Sequence, residues 1–219
     1  MKRRISGIPT GSVGLFPLAF PLMSQLFNYN RLVVNQKAKL IEITNQFAIR
    51  DEHGNDIGFI TQEGQSTARK VLRFVSNVDQ FLTHNYTLYD ATGQPVMHLT
   101  RPAKVMKSTV NIGFPDGSPA GQIIQQNVFG KIRFGLLDNQ GQPIGEIRAE
   151  NWRAWNFAIV DTQEHERARI TKKFGGVLQA AFTTADNYLV EIDPSLDGAL
   201  RFMTFAAAAA VDTALKQDE

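Results

Sequence analysis

The sequence lacks cysteine altogether, so disulfide bonds, thiolate metal sites and a cysteine nucleophile are all excluded. It also lacks a strong charge of either sign, because 23 basic residues stand against 21 acidic ones and the net charge is +2. Nucleic-acid binders carry a pronounced basic excess, so this balance gives no indication of a nucleic-acid partner. The 219 residues are enough for one large β domain.

The motifs of the common enzyme classes are also absent. The chain has no GxGxxG, GxxxxGK[ST], HExxH or GxSxG pattern. Its four histidines, His53, His84, His98 and His165, have no neighbours at metal-ligand spacing, so we expect solvated or hydrogen-bonded side chains. No catalytic residue is therefore predicted, and an enzyme ranks last among the functions considered.

A long hydrophobic run is the third absence. The most apolar stretch is FMTFAAAAAVDTAL (202–215), and it is uninterrupted only over residues 205–211. A helix needs about 20 consecutive apolar residues to cross a bilayer core, so this stretch is too short for a membrane span. A helix that is apolar on all sides is buried on all sides. We therefore expect this C-terminal helix to lie inside the protein, surrounded by a close wall.

The N-terminus predicts a separate leader. Basic residues at positions 2–4 precede an apolar stretch that is broken by Pro17 and Pro21 and is not followed by a small-residue cleavage site. A secretory signal is the weaker interpretation of this pattern. We predict an irregular, Pro-containing leader over residues 1–27 that packs on the domain or touches lipid. Residues 28–219 are predicted to form a single domain.

A repeated hairpin pattern follows the leader. Three segments place Asp-x-x-Gly between two short apolar strands: FAIRDEHGNDIGFITQ (47–62), YTLYDATGQPVMHLTR (86–101) and FGLLDNQGQPIGEIRA (134–149). Asp at the first position and Gly at the fourth fit a type I turn with a left-handed residue after it. These segments are therefore predicted to be β-hairpins.

Less regular copies extend the pattern to about a dozen strands. They cover residues 110–125 and 157–172, and residues 32–44 would add another pair of strands. In the copy at 157–172, Glu164 replaces the glycine, so we expect a looser turn there. So many strands in one chain favour a barrel or a sandwich. A barrel would provide the wall around the C-terminal helix.

The segment EIDPSLDGALRF (191–202) predicts the start of that helix. Asp193 is a candidate N-cap, and Pro194 suits the first helical position. Asp197 would lie in the first turn, where a negative charge complements the helix dipole. The predicted strand NYLVEI (187–192) runs directly into this cap, so one strand of the wall leads into the helix.

Two segments resemble the phospholipid scramblase family. ARITKKFGGVLQAAFTTADNYLVEIDPSLD (168–197) is similar to its most distinctive segment, in which I-[ST]-K, an aromatic residue, Gly and V-L precede A-F-T-x-A-D-N and an aromatic residue. LVVNQKAKLIEITNQFAIRDEHGNDIGFITQE (32–63) is similar to its first hairpins. The family shares its fold with LURP-one-related proteins and the tubby C-terminal domain. The resemblance implies a lipid-binding, membrane-associated protein with a closed antiparallel barrel of about twelve strands around a buried C-terminal helix.

The resemblance also implies a Ca²⁺ loop, but its ligands are largely lost. Against the family pattern, Thr184 replaces the leading acid, Leu189 the glycine and Ser195 the final acid. The remaining candidate ligands are Asp186, Glu191 and Asp193. We instead predict a strand whose Tyr188, Val190 and Ile192 face inward, with Ca²⁺ binding weak or absent and no other cofactor. The acylated Cys-rich stretch of the family has no counterpart, because the matching residues 66–75 contain no cysteine.

Basic residues are the candidates for contacts with anionic phospholipid headgroups. They are Arg101, Lys104, Lys107, Arg167, Arg169, Lys172 and Lys173. The solvated outer face of a barrel accounts for any one of them. As a patch, each would contribute about 1 kcal/mol near an acidic leaflet. Since residues two apart share a strand face, Arg167 and Arg169 should point together.

Two functions stay open from the sequence. The first is a peripheral phospholipid-binding protein of the scramblase family, with a role in lipid movement between leaflets. It would be cytoplasmic and meet the membrane through the basic strand faces and the leader. The second is a soluble tubby-like binding or sensing module without lipid transport. The sequence does not specify the oligomeric state.

Overall fold

The computed structural model describes residues 24–36, 46–63, 83–103, 107–127, 129–150, 156–172 and 187–215. Within these residues, twelve antiparallel strands form a closed barrel, and one α-helix, α1 (Gly198–Leu215), follows the last strand. The strands are β1 (Arg31–Gln36), β2 (Gln46–Asp51), β3 (Asp56–Glu63), β4 (His84–Asp90), β5 (Pro95–Arg101), β6 (Thr109–Gly113), β7 (Pro119–Gln125), β8 (Arg133–Asp138), β9 (Pro143–Ala149), β10 (Asn156–Asp161), β11 (Glu166–Thr171) and β12 (Asn187–Ile192). A 3₁₀ turn, Gln25–Asn28, precedes β1.

The barrel closes at its first strand. Consecutive strands pair with each other, and β1 pairs with both β2 and β12, so that Val33 lies opposite Arg50 on one side and Leu189 on the other. Closure pairs the strand edges that an open sheet would leave exposed. The prediction of a barrel of about twelve strands is confirmed, and all five predicted hairpins are present.

The five hairpin turns lie at one end of the barrel, which we call the turn end. In the first, the N–H of Gly54 donates to the carbonyl of Asp51, whose side chain accepts the N–H groups of His53 and Asn55 at 2.9 Å. The turn at Asp161 has the same hydrogen bonds although it contains Glu164 instead of glycine. Glu164 adopts the left-handed conformation with φ 69°. The expectation of a looser turn is therefore wrong.

Helix α1 begins at the turn end and fills the barrel. Residues 202–210 are at most 7% exposed, so the apolar run is enclosed on all sides as predicted. Glycines in the wall allow this close packing: a Cβ on Gly121 would lie 3.0 Å from the sulfur of Met203, and one on Gly145 would lie 3.0 Å from Leu200. These two glycines therefore leave room for the Met203 and Leu200 side chains of the helix.

The start of α1 differs from the prediction. Asp193 is not the N-cap; its side chain accepts the N–H and hydroxyl of Ser195 at 2.8 Å and so closes a separate turn before the helix. The helix begins at Gly198, whose φ of +60° suits glycine, and Asp197 precedes its first turn. Strand β12 still leads into the helix, with this turn between them.

The last residues of the predicted leader belong to the packed domain. Leu26 is 2% exposed, and the ring of Phe27 lies about 5 Å from the rings of Phe202 and Phe205. Ser24 caps the 3₁₀ turn by accepting the N–H of Leu26. Residues 24–27 therefore pack on the barrel, which is one of the two alternatives for the leader. The leader up to residue 23 lies outside the described residues.

Candidate lipid-contacting surface

Strand β11 carries two of the basic residues predicted to meet headgroups. Ala168 and Ile170 are buried in the barrel, and Arg167 and Arg169 alternate with them on the outer face. The two arginines thus point together, as the two-residue period of a strand predicts. Their side chains are 23% and 29% exposed, so solvent reaches only part of each.

Both arginines are bound to carboxylates of the barrel itself. Arg167 lies 3.3 Å from Asp193. Arg169 forms ion pairs with Glu166 and Glu150, and its hydrogen bond to Glu166 is the main cause that raises the pKa of Arg169. An anionic headgroup would have to compete with these carboxylates for the guanidinium groups.

Other arginines on the outer wall of the barrel are also paired with carboxylates. Arg148 pairs with Glu146 at 2.8 Å and with Glu164, and Arg31 pairs with Glu191 at 2.6 Å. Such surface ion pairs contribute only about 0–1 kcal/mol each to stability. Their effect on binding is larger, because they cancel the positive charge that an anionic surface would recognise. The strands β9, β11 and β1 therefore do not present a basic face.

The remaining predicted headgroup contacts are dispersed. Arg101 is 2% exposed, so its side chain faces the barrel interior and not a surface, contrary to expectation. Lys107 is exposed at the end opposite the turns, where its Nζ donates a 2.7 Å hydrogen bond to the carbonyl of Gln126. Lys172 lies 5.8 Å from the centre of the Tyr188 ring. Lys104 and Lys173 lie outside the described residues.

The carboxylates considered for Ca²⁺ are also engaged. Glu191 binds Arg31, and the backbone and hydroxyl hydrogen bonds from Ser195 lower the pKa of Asp193. Ca²⁺ takes about six to eight oxygen ligands, and in the described part of the chain no three acidic or histidine side chains come together to supply them. Asp186 lies outside the described residues. Glu191 and Asp193 are thus both engaged in contacts within the barrel.

The scramblase family model matches residues 12–215, which is most of the chain and includes all twelve strands. The chain belongs to the scramblase family. It is similar to a phospholipid scramblase family protein of Schizosaccharomyces pombe, with 22% identity over 199 residues that make up 83% of this chain and 50% of the relative. The chain thus spans about half the length of the curated relative it matches. No solved structure matches it.

The C-terminal helix of this scramblase-family chain is part of the barrel core. Within the described residues, no helix has both the length and the apolar composition needed to cross a bilayer. The only polar side chain in residues 202–210 belongs to Thr204, and its hydroxyl donates to the carbonyl of Leu200 at 2.8 Å. Residues 202–210 of the helix therefore present no polar face that would require water.

Sequence reasoning missed the role of Arg201. This guanidinium group donates to the carbonyls of Phe27, Tyr29 and Leu196 at 2.6, 3.1 and 3.1 Å, and to the side chain of Asn30 at 2.9 Å. Burial lowers the pKa of Arg201. The residue thus ties the chain before β1 to the start of α1. In the sequence, the only indication of this role was that Arg201 stands alone at the edge of an apolar run.

A polar cleft of about 510 Å³ lies beside this tie at the turn end. Arg31, Glu52 and Glu191 line it together with Tyr29 and His53. Its side chains carry both signs of charge, so it suits a small polar ligand better than an apolar one. No residue of the cleft was singled out from the sequence as a headgroup contact.

Proposed function

We propose that this scramblase-family protein binds phospholipid surfaces peripherally, as a folded barrel that keeps its C-terminal helix inside. The observation that supports this is the enclosure of residues 202–210, which are at most 7% exposed. Removing this helix from the barrel would empty the core and expose its apolar lining to water. Contact with lipid through surface residues avoids that cost.

The finer parts of the proposal concern the lipid and its movement. We propose a preference for anionic phospholipid and a role in lipid movement between leaflets, neither of which involves catalysis. The compensated outer wall makes β11 a poor headgroup site, so basic residues elsewhere carry the preference. The leader adds Lys2, Arg3 and Arg4 and an apolar stretch, and stable anchoring usually takes two such signals. The cytoplasmic location stays a prediction.

Liposome co-sedimentation tests the proposal. The full chain should pellet with vesicles that contain phosphatidylserine more than with phosphatidylcholine alone, and binding should fall with salt, since the Debye length is about 10 Å at 0.1 M. A chain without residues 1–23 should bind more weakly and stay folded, because Leu26 and Phe27 remain. Equal binding by the shortened chain would remove the leader from the proposal. Quenching of labelled lipid in the outer leaflet of vesicles measures movement separately.

The polar cleft supports a second candidate, a soluble tubby-like binding or sensing module. Arg31 between Glu52 and Glu191 offers both a donor and acceptors to a small polar ligand. If the full chain binds no vesicle at low salt, this second function is favoured. Substituting Arg31→Ala would then abolish binding of the small ligand without affecting the barrel.

A further inference from the structure

The connection between β7 and β8 presents a large apolar side chain to solvent. Phe129 is 90% exposed, and no other large apolar side chain in the described ranges is exposed. Single exposed apolar residues are common and need no explanation by themselves. Phe129 differs because its loop is held in place and because the nearby cations form no ion pair with a carboxylate of the described residues.

Asn127 holds the backbone at Phe129 and at the residues that follow it. Its Nδ2 donates to the carbonyls of Phe129 and Lys131 at 2.8 and 2.7 Å, and its Oδ1 accepts the N–H of Arg133 at 2.8 Å. Gly130 has φ +85°, a left-handed conformation that glycine adopts without strain. The ring of Phe129 is therefore presented by a defined turn.

Three cations surround this turn. Lys131 and Arg133 are exposed within it, and Lys107 is joined to it by the hydrogen bond to Gln126. None of the three forms an ion pair with a carboxylate in the described part of the chain. The arginines of the outer wall, in contrast, are paired. Arg133 acts on a carboxylate only at longer range: after the hydrogen bond from Arg148, its charge is one of the smaller causes that lower the pKa of Glu164. The cations without an ion-pair partner among the described residues thus lie on and beside the turn that carries the exposed aromatic ring.

We propose that the β7–β8 loop is the membrane-contact site, with Phe129 at the headgroup boundary of an anionic lipid surface and Lys107, Lys131 and Arg133 on its headgroups. This inference rests on the proposed lipid-binding function and assigns it a surface. Aromatic rings and cations together are what interfacial segments use. A second copy of the chain suits the loop less well, because a two-fold contact would bring the same cations together.

The absence of cysteine permits a direct test with the full chain. Phe129→Cys is labelled with an environment-sensitive fluorophore, and Gln140→Cys, on the exposed β8–β9 turn at the opposite end, serves as the matched control. Vesicles of phosphatidylcholine with phosphatidylserine should shift the emission of the label at position 129 to the blue. The label at position 140 should show no shift. A shift at both positions, or at neither, contradicts the proposal.

Binding measurements give the size of the effect. Phe129→Ala should weaken partition into these vesicles about tenfold, because it removes most of the apolar surface that is buried on insertion. Lys131→Gln should weaken partition about fivefold, and less at high salt. Gln140→Ala should bind as the unchanged chain does. All three substituted side chains are exposed, so thermal unfolding should be unaffected.

Three outcomes distinguish failure of the proposed lipid binding from failure of the β7–β8 loop as its site. If the unchanged chain binds no vesicle at low salt, the proposed function and this inference both fail. If it binds and Phe129→Ala binds equally well, the loop is not the contact site, and the proposed function stands. If Phe129→Ala instead abolishes self-association seen by light scattering and leaves vesicle binding unchanged, the loop belongs to a contact between copies, and this inference is overturned.

Discussion

The two ends of the barrel are built differently. At the turn end, β2 ends at Asp51 and β3 begins at Asp56, and the connection is closed by hydrogen bonds to the side chain of Asp51. At the opposite end, β3 ends at Glu63 and β4 begins only at His84. That end also carries Phe129, the exposed aromatic residue on the β7–β8 connection.

This difference separates the contacts that stabilise the fold from the surface proposed to recognise lipid. The turn end contains the start of α1, the Arg201 tie and the aspartate turns, all of which satisfy backbone groups within the protein. The described loop between β7 and β8 instead exposes an apolar ring beside three cations that form no ion pair with a described carboxylate. Binding residues are often placed on loops that a rigid scaffold positions. Substitutions at the two ends should therefore affect different measurements.

The largest effect should come from the core between the two ends. Ala208 is 3% exposed inside the barrel, so Ala208→Glu would bury a charge without a partner. The expected cost is about 5 kcal/mol, which is comparable to the total stability of a domain. We expect the variant to be unfolded by circular dichroism.

The matched control for that variant is Ala91→Glu, at an exposed tip of the turn end. This change should leave the free energy of unfolding within about 0.5 kcal/mol, as surface substitutions usually do. A folded Ala208→Glu variant with its helix in solvent or lipid would contradict the placement of α1 in the barrel.

The next effect should come from the Arg201 tie at the turn end. Arg201→Ala would leave the carbonyls of Phe27, Tyr29 and Leu196 without their donor. We expect the free energy of unfolding in urea to fall by roughly 3 kcal/mol. Arg50→Ala, which removes only the exposed pair with Asp56, should cost at most about 1 kcal/mol. Equal effects of the two changes would show that the tie has no special role.

The sequence was sufficient for the hairpins because their signals are local. Asp and Gly three residues apart determine a turn whichever strands it joins, and the five turns were predicted in place. The error at Glu164 arose because the Asp161 side chain supplies the same two hydrogen bonds without glycine, and because Arg148 binds the Glu164 side chain.

The sequence did not predict side-chain contacts between residues that are distant in the chain. Arg201 contacts Phe27, and nothing near either residue indicates the other. Asp193, just after β12, and Glu150, just after β9, neutralise Arg167 and Arg169, so the basic face expected from β11 is absent. Phe129 is an apolar residue next to glycine, and nothing in the sequence indicates that its ring is 90% exposed.

Acidification should weaken the turn end in particular. Burial opposes the charge of Asp51 and Asp90, but hydrogen bonds from Asn55, Thr92 and their neighbours outweigh it and lower both pKa values below the usual 3.8. A carboxyl group with a lowered pKa in the folded state stabilises the fold above its unfolded pKa. That contribution is lost as the pH falls from about 4 through the lower folded value.

The variant Asp51→Asn/Asp90→Asn tests this pH dependence. Asparagine keeps an oxygen acceptor in each turn but does not titrate. Urea unfolding at a series of pH values should show a smaller loss of stability below pH 4 in the variant than in the unchanged chain. Parallel curves for the two proteins would mean that these turns do not account for the acid sensitivity.

The smallest expected effect is that of Ca²⁺, and it also bears on the two ends. Asp193 at the turn end is held by Ser195 and Arg167, and Glu191 by Arg31, so neither carboxylate is available without breaking these contacts. Calorimetry with millimolar Ca²⁺ should give no saturable heat, and Asp193→Ala should behave the same. A single-site isotherm that Asp186→Ala abolishes and Asp193→Ala preserves would instead assign a calcium site to Asp186, directly before β12 in the sequence, and not to the turn end.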